Sequence, residues 1–393
     1  MQSVEKTWYD RVEPEELIDE LSGAETITKE EKLSVASYWQ LMWWRFLKHR
    51  MAVISAVIVL LLYLVAAFSE FVAPYNPEET FLKYKLAPPS PVHFFDAQGN
   101  FHRPFVYKIE RTRDPKTLRS LYAEVKSTMY PVRFLVQGSE YKMWGVWPMR
   151  LHLFGLDVPQ SEQGIFLWGA DRLGRDLFSR TSYGARISLT IGLVSVIVSL
   201  VLGILLGGLS GFYGGAVDNV IQRLIEFIRS IPDIPLIMGL SAALPPDLPM
   251  LQLYFGITLV LSLIGWTGLA RVVRGRFLSL REEDFVMAAR LAGASEMRII
   301  FRHMLPSFLS HIIASLSLAI PAIILAETGL SFIGLGLRAP AISWGVLLQE
   351  AQNVRSMALA PWVLTPGLAV IVTVLAFNFL GDGLRDAADP YAK

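Results

Sequence analysis

Residues 187–213 read ISLTIGLVSVIVSLVLGILLGGLSGFY, a run of 27 residues without a charged side chain. An α-helix rises about 1.5 Å per residue, so this run is long enough to cross the roughly 30 Å of hydrocarbon in a bilayer. The run therefore predicts a membrane-spanning helix and sets the frame for the rest of the chain.

Other segments repeat this pattern. Of the 393 residues, 53% are hydrophobic and only 18% are charged, whereas soluble domains carry about 25% charged residues. Further spans are expected at 51–70, 231–244, 253–273, 308–330 and 361–380. The segment 231–244 is short and needs residues 220–229 as preceding helical turns, with Pro232 and Pro235 as kinks. We therefore expect an all-α membrane protein with six transmembrane helices, of which helices 2–6 fall within 186–380.

Basic residues predict the orientation, because cytoplasmic connections of membrane proteins are enriched in Lys and Arg. Seven arginines lie between residues 271 and 302, whereas the connections 245–252 and 336–360 carry only Arg338 and Arg355. The loop 274–306 is therefore predicted to be cytoplasmic, and so are both termini. Residues 1–50 are expected to form a cytoplasmic segment that ends in an interfacial helix rich in tryptophan, and residues 381–393 a cytoplasmic tail.

Residues 72–185 separate the first two spans and are expected to lie outside. Turn-forming stretches such as 87–91 alternate there with strand-like runs such as 105–107 and 132–136. This alternation predicts a small α/β or β-rich extracytoplasmic insertion between helices 1 and 2.

Two features inside the spans predict contacts. Small residues recur at every fourth position of the second span, which places them on one helix face and predicts close helix packing. They are Ser195, Ser199, Gly203, Gly207, Gly211 and Gly215. In the fifth span, Glu327 and Ser331 are candidates for a gate or cavity, because an intramembrane carboxylate is costly. The alternative is that Glu327 caps the glycine-rich turn 329–336.

Several classes of function are disfavoured. The net charge of +1 gives no general attraction for nucleic acid. There is no cysteine, so disulfides and thiolate chemistry are excluded. We find no metal-ligand spacing, no catalytic constellation and no Gly-x-x-x-x-Gly-Lys-Ser/Thr phosphate loop.

The basic loop contains a segment, 284–306, that we call the knob. Residues 284–293 read as a short helix, and Gly293 suits the left-handed residue that ends one. A second short helix is expected over 295–304. The two helices would form a compact projection on the cytoplasmic side.

The knob resembles the EAA loop of ABC importer permeases, in which Glu-Ala-Ala, a glycine and a terminal Leu-Pro stand at these spacings. Here Met287 replaces the glutamate. Three other stretches resemble motifs of the same family; they are GADRLGRDLFSR at 169–180, ETGLSFIGLG at 327–336, and NFLGDGLRD at 378–386 with Asp389-Pro390. Together they are typical of the C-type permease subunit of dipeptide/oligopeptide ABC importers, over about 36–77 and 165–393.

The resemblance implies the type I ABC importer permease fold and a place in a bacterial inner membrane. It also implies contact with an ATPase through six residues, which are Ala288, Ala289, Gly293, Arg302, Leu305 and Pro306. ATP and Mg would be bound by two ATP-binding subunits and no cofactor by this chain. The other expected partners are a homologous second permease, an extracytoplasmic substrate-binding protein and membrane lipid.

Alternatives remain at two levels. Within the family, a nickel chelate or an oligosaccharide could replace the peptide as substrate. Outside it, a secondary transporter would show paired intramembrane ionisable groups and inverted repeats, and a membrane-anchored enzyme would carry its chemistry in the insertion.

Overall fold

A computed structural model describes residues 38–388 apart from 114, 116–119, 159–162 and 246. Residues 1–37 of the predicted cytoplasmic segment 1–50, and the Asp389-Pro390 pair, lie outside the described residues. The helices are α1 (Tyr38–Lys48), α2 (Arg50–Ala67), α3 (Ser69–Val72), α4 (Leu177–Tyr213), α5 (Gly215–Arg229), α6 (Asp233–Ala242), α7 (Met250–Leu280), α8 (Asp284–Leu291), α9 (Glu296–Arg298), α10 (Leu309–Phe332), α11 (Trp344–Glu350), α12 (Val354–Leu359) and α13 (Thr365–Ala388). The strands are β1 (His93–Phe95), β2 (Phe101–Arg113), β3 (Ser120–Met143) and β4 (Trp147–Leu156).

Within the described residues, five helices are long and apolar enough to cross a membrane. They are α2, α4, α7, most of α10, and α13 with the turn before it. The chain thus has the helical architecture of a membrane protein. Most of the predicted spans prove longer than their apolar runs; for example, α13 continues to Ala388, so residues 381–388 of the predicted tail are helical.

The short span predicted at 231–244, with residues 220–229 as its preceding turns, is not one continuous helix. Residues 215–229 and 233–242 form two helices, α5 and α6, separated at Ser230–Pro232. Proline at 232 lacks the amide hydrogen that a continuing helix needs, and it disfavours helical backbone at the residue before it. α6 has only 10 residues, which is about 15 Å of helix and half of a bilayer core.

The spanning helices pack into one bundle. α4 lies along α7, α10 lies against both α4 and α13, and α13 packs on α2. One buried apolar cluster joins α4, α7 and α10 around Ile191, Ile257 and Ile323. A second joins α2, α4 and α13 around Leu189 and Phe377.

The start of α4 explains why this helix exceeds its apolar run. Asp176 precedes the helix with an extended backbone, and its carboxylate accepts a hydrogen bond from the Ser179 backbone N–H at 2.7 Å. This N-cap satisfies one of the free amides at a helix start. The helix therefore begins ten residues before the charge-free stretch, on the polar motif 169–180.

The insertion is a four-stranded antiparallel sheet with the strands in sequence order. β3 is long enough to pair with β2 along one half and with β4 along the other, as the register Phe105↔Pro131 and Val132↔Leu156 shows. Tyr75 and Ile165, which flank the insertion in sequence, pack with Val106, Tyr130 and Phe154 of the sheet. A four-stranded sheet thus lies between α3 and α4 in the chain, and its core includes the two segments that connect it to the bundle.

Candidate coupling loop and intramembrane sites

The knob is built around a helix end at Gly293. This residue has φ +76°, a left-handed conformation that glycine adopts without strain. The Ala294 N–H donates to the Ala289 carbonyl at 3.0 Å, and the Gly293 N–H to that of Arg290 at 2.9 Å. These bonds close α8 and turn the chain toward α9, as the sequence predicts.

The second half of the knob differs from the single short helix expected over 295–304. α9 covers only Glu296–Arg298 and continues into a wide π-helical turn, Ile299–Met304, and a 3₁₀ turn, Leu305–Phe308. The Leu305 N–H donates to the carbonyl of Ile300, five residues earlier. The path from α9 to α10 is therefore helical throughout but changes its winding.

One side of the knob is buried against the ends of three spanning helices. Val286, Ile299, Ile300 and Met304 are buried against Phe212 of α4, Val273 and Phe277 of α7, and Ile312 of α10. The Arg290 guanidinium also lies over the Phe212 ring, 5.5 Å from its centre. Any movement of the knob must therefore displace these helix ends, because their side chains share one packed cluster.

The opposite side of the knob exposes large apolar side chains. Leu291 is 89% exposed. Four others are also exposed, namely Phe285, Met287, Met297 and Phe301. Several large apolar side chains exposed on one short helical projection favour a protein contact there.

The six predicted coupling residues divide between these two sides. Ala288, Gly293, Arg302 and Pro306 are exposed. Ala289 and Leu305 are half-buried and pack on the cluster that holds the knob. The structure thus assigns the first four to the free surface and the other two to its attachment.

The small-residue stripe of α4 faces α7. Ser195 and Ser199 donate hydrogen bonds to the Thr258 and Ser262 carbonyls of α7, at 3.2 and 3.1 Å. A Cβ on Gly203 would overlap Leu269, one on Gly207 would overlap the Ala270 carbonyl, and one on Gly211 would lie 2.7 Å from the Arg274 carbonyl oxygen. Gly215 is the exception, because it lies beyond the end of α4 with open space around its Cα.

A cavity of about 270 Å³ opens between α4, α7 and α10. Its walls are mostly small or aliphatic, including Ser199, Gly265, Gly268, Ala319 and Ala322. Glu327 and Ser331, which the sequence offers as cavity candidates, do not line it.

Glu327 instead lies in a closed polar network. It is fully buried and accepts hydrogen bonds from Ser188 of α4 at 3.2 Å and from Ser331 at 2.9 Å. The Ser331 hydroxyl accepts from the Leu337 N–H, and the Ser188 hydroxyl accepts from the Trp344 N–H. Glu327 thus joins α4, α10 and the start of α11, and the glycine-rich turn is held through Ser331.

Three charges of the motif 169–180 form a largely buried network with Glu350. The Arg180 guanidinium, 3% exposed, contacts Asp171 at 3.0 Å and Glu350 of α11 at 2.5 Å. Arg175 contacts the same two carboxylates, each at 2.7 Å. The Asp171 carboxylate also accepts from the backbone N–H groups of Leu173 and Arg175. The network ties the segment before α4 to α11.

A second ion pair joins the first two spans. Arg186 of α4 makes a two-pronged contact with Glu70, at 2.7 and 2.5 Å, and donates to the Ala66 and Ala67 carbonyls at the end of α2. Burial alone would raise the pKa of Glu70, but its hydrogen bonds, led by those from Arg186, lower it on balance. The arginine also places positive charge at a helix carboxyl end, where the helix dipole favours it.

Several of these partners were not singled out from the sequence. Ser188, Trp344 and Glu350 carry no local signal, because each meets its partner across more than a hundred residues. The exposed apolar side chains of the knob could have been found from their spacing beside charged residues. In the part of the chain that the structure describes, no three His, Cys, Asp or Glu side chains group as a metal site.

Two family comparisons cover most of the chain. Residues 180–393 match the family described as binding-protein-dependent transport system inner membrane component. Residues 37–89 match the N-terminal TM domain of oligopeptide transport permease C. The sheet lies between these two matched segments.

Individual relatives agree with the family matches. The chain is 42% identical over 239 residues to the oligopeptide transport system permease protein OppC of Escherichia coli K12, covering 59% of this chain and 74% of that protein. It is 35% identical over 244 residues to the dipeptide transport system permease protein DppC of Bacillus subtilis 168, covering 62% and 73%. Among solved structures, a chain of the inward-facing MetNI methionine ABC transporter aligns over 52% of this chain and 94% of its own length, with 18% identity and a TM-score of 0.41.

The family predicted from the sequence motifs is thereby confirmed. More than half of the chain matches a single family, and that match includes α4 to α13 with the knob. The chain belongs to the family of inner membrane components of binding-protein-dependent transport systems.

Proposed function

We propose that the chain is the permease subunit of an ATP-driven importer of peptides. The relatives named as oligopeptide and dipeptide permeases support this substrate class. As a transport component, the chain pairs with a homologous second permease, and two ATP-binding subunits bind ATP and Mg. An extracytoplasmic substrate-binding protein delivers the peptide.

The observation that carries the proposal is the two-sided construction of the knob. Its buried side shares a packed cluster with the ends of α4, α7 and α10, and its other side presents exposed apolar residues. An ATPase that moves the exposed side would therefore move the helix ends as well. Ala288, Gly293, Arg302 and Pro306 would contact the ATPase, and Ala289 and Leu305 would transmit the movement.

The cavity between α4, α7 and α10 supports a translocation path. It is bounded by helices whose ends meet the knob, so a shift of those ends changes its walls. Together with the second permease, this surface would enclose the passage. Glu327 and Ser331 would act at a distance from the passage, by holding α4, α10 and α11 together.

The proposal includes an orientation. The knob and both termini lie in the cytoplasm, and the sheet lies outside. Both termini can share a side only if the number of crossings is even. α5 and α6 must therefore supply a sixth crossing beside the five long helices, which completes the type I arrangement.

A charge on the exposed side of the knob tests the proposed contact. Leu291→Glu changes a side chain that is 89% exposed, so the fold should be retained. We expect the ATP-binding subunits to be lost when the complex is purified through this chain, and peptide uptake to be lost with them. Phe101→Glu is the matched control, because Phe101 is 73% exposed on the sheet, and this variant should retain both ATP-binding subunits.

Gly293→Val tests whether the knob passes movement from the ATPase to the spanning helices, rather than whether the ATPase binds. A β-branched residue in a left-handed conformation costs about 1–3 kcal/mol and distorts the turn between α8 and α9. We expect the assembled complex to hydrolyse ATP without a matching uptake of peptide. If Leu291→Glu retains its ATP-binding subunits and Gly293→Val transports normally, the knob has been misassigned. Competition of labelled peptide uptake by nickel chelates or oligosaccharides tests the substrate class separately.

A further inference from the structure

The turn between β3 and β4 lies against the end of the first span. The indole N–H of Trp144 donates to the Ala67 carbonyl, the last residue of α2, at 2.6 Å. Its ring lies 5.7 Å from the ring of Phe68, which comes directly after α2. A residue 77 positions along the chain thus completes the carboxyl end of this helix.

The turn holds its aromatic side chains in a fixed arrangement. Trp144 and Gly145 both have positive φ, 51° and 76°, and the Gly145 and Val146 N–H groups bond back to Lys142 and Met143 at 3.0 Å. The rings of Trp144 and Trp147 lie 5.6 Å apart. A tryptophan in a left-handed conformation costs free energy, so the contact with α2 offsets a local strain.

These side chains remain open to the surroundings. Trp144 is 51% exposed, Val146 66% and Trp147 56%. The one polar group of the Trp144 ring already has its partner in Ala67, so the exposed part of that ring is apolar. Lys142 is exposed and charged on a rung of the hairpin beside the turn, whereas the exposed Arg150 is already ion-paired with Glu140.

The turn continues an apolar stripe on α2. Met51, Ile54, Val57, Leu61, Leu64 and Phe68 are all exposed and succeed each other at helical spacing. α2 has 18 residues, about 27 Å of helix, which nearly equals the hydrocarbon thickness of a bilayer. Ala67 therefore marks the depth at which hydrocarbon gives way to headgroups.

The amino-terminal end of α2 is also flanked by exposed tryptophans and basic residues. Trp43 and Trp44 of α1 are exposed there, beside Arg45 and Lys48. Tryptophan is enriched at both membrane–water interfaces because its ring is apolar and its N–H is polar. The sheet thus supplies exposed tryptophans at one end of α2, as α1 does at the other end.

We propose that the turn 144–147 is a membrane anchor, which we call the aromatic turn, and that its partner is the phospholipid bilayer. Trp144, Val146 and Trp147 insert at the headgroup level of the leaflet beside the end of α2, with Lys142 near the lipid phosphates. Continuity with the α2 stripe selects lipid over a soluble partner. The sheet is thereby held at a fixed height on the membrane surface.

Site-directed spin labelling tests the anchor in the full chain, reconstituted in nanodiscs of phosphatidylcholine and phosphatidylglycerol. The chain has no cysteine, so each single-cysteine variant carries one label. Val146→Cys reports on the aromatic turn, Leu61→Cys on the α2 stripe, and Gln98→Cys on the exposed β1–β2 turn. We expect the label at 146 to lose collisions with a water-soluble nickel complex relative to 98, and to gain collisions with oxygen and with lipids spin-labelled near the headgroup.

Three results would overturn the proposal. If the label at 146 is as accessible to the nickel complex as the label at 98, the turn lies in water. If it is shielded from nickel complex, oxygen and lipid alike, a protein surface covers it. The label at 61 must collide with oxygen and lipid in the same sample, since otherwise the α2 stripe does not face lipid and the inference loses its basis.

Discussion

At the scale of single residues, the buried charges that the structure describes are held by several partners, with Asp176 as the exception among them. Arg180, Asp171 and Glu350 each contact at least two opposite charges or donors. Asp176 has only one oxygen in a hydrogen bond, and its other oxygen is buried without a partner. Asp176 is therefore held less completely than the other three residues.

Asp176 predicts a pH dependence of stability. Burial raises the pKa of this carboxyl from 3.8 to about 7. Between these two values the folded protein holds a proton that the unfolded chain releases, so stability falls as pH rises from about 4 to 7 and then levels off. Asp176→Asn keeps an oxygen to cap α4 and removes the charge.

We expect Asp176→Asn to gain stability relative to the original chain as pH rises. From pH 6 to pH 8 the gain should grow by about 1 kcal/mol, on the order of one pKa unit. Thermal unfolding of the detergent-purified complex at both pH values measures it. An equal difference at pH 6 and pH 8 would show that Asp176 does not titrate in this range.

The four-charge network predicts strong coupling between Arg180 and Glu350. Arg180→Met alone leaves two carboxylates with one arginine, and loss of one partner from a buried pair costs about 3 kcal/mol. Glu350→Gln alone should also destabilise. The double variant should be more stable than the sum of the two losses predicts, because neither charge is then left unpaired. Additive losses in thermal unfolding would argue against the pairing.

At the scale of elements, the contact between α4 and α7 depends on the absence of side chains. Gly207 faces the backbone of Ala270, and a Cβ there would overlap its carbonyl. Gly275 of α7 has nothing within 4 Å of such an atom. Gly207 and Gly275 therefore allow a comparison between a crowded and an open glycine position.

We expect Gly207→Ala to destabilise the bundle by about 1–3 kcal/mol, the usual cost of overpacking. Gly275→Ala should be neutral or stabilising, because alanine favours helix by about 1 kcal/mol over glycine. Thermal unfolding of the two purified variants compares them directly. Equal behaviour would mean that α4 and α7 are not in close contact.

Sequence reasoning succeeded where one local property decides the element. Charge-free length predicted the five long helices, and Gly293 predicted the end of α8. The break at Ser230–Pro232 was expected only as a kink, since the sequence does not show whether neighbours restore the bond lost at Pro232. The pairing of β3 with both β2 and β4, and of Arg180 with Glu350, depends on residues far apart in sequence and has no local signal.

At the scale of the whole molecule, the orientation remains the main prediction. Five long helices alone would leave the termini on opposite sides of the membrane. Whether α5 and α6 together cross the membrane decides whether the number of crossings is even. The absence of cysteine makes this measurable with single substitutions at exposed positions.

We expect a membrane-impermeant maleimide to label Gln98→Cys and Asp247→Cys in intact cells. Ser295→Cys, in the knob, should be labelled only after the membrane is permeabilised. Labelling of 247 only after permeabilisation would mean that α5 and α6 do not complete a crossing. Labelling of 295 in intact cells would place the knob on the wrong side for an ATPase.

The π-helical turn Ile299–Met304 has a consequence for how the knob can move. Each residue added to or removed from an α-helix rotates the next segment of the helix by about 100°. A wide turn stores one such residue, because its hydrogen bonds reach five positions rather than four. If the turn tightened, the part of the knob before it, α8 and α9, would rotate about the axis of α10 while the chain stayed helical on both sides of the turn. A small displacement of the knob would thus be converted at this turn into rotation of a spanning helix, α10.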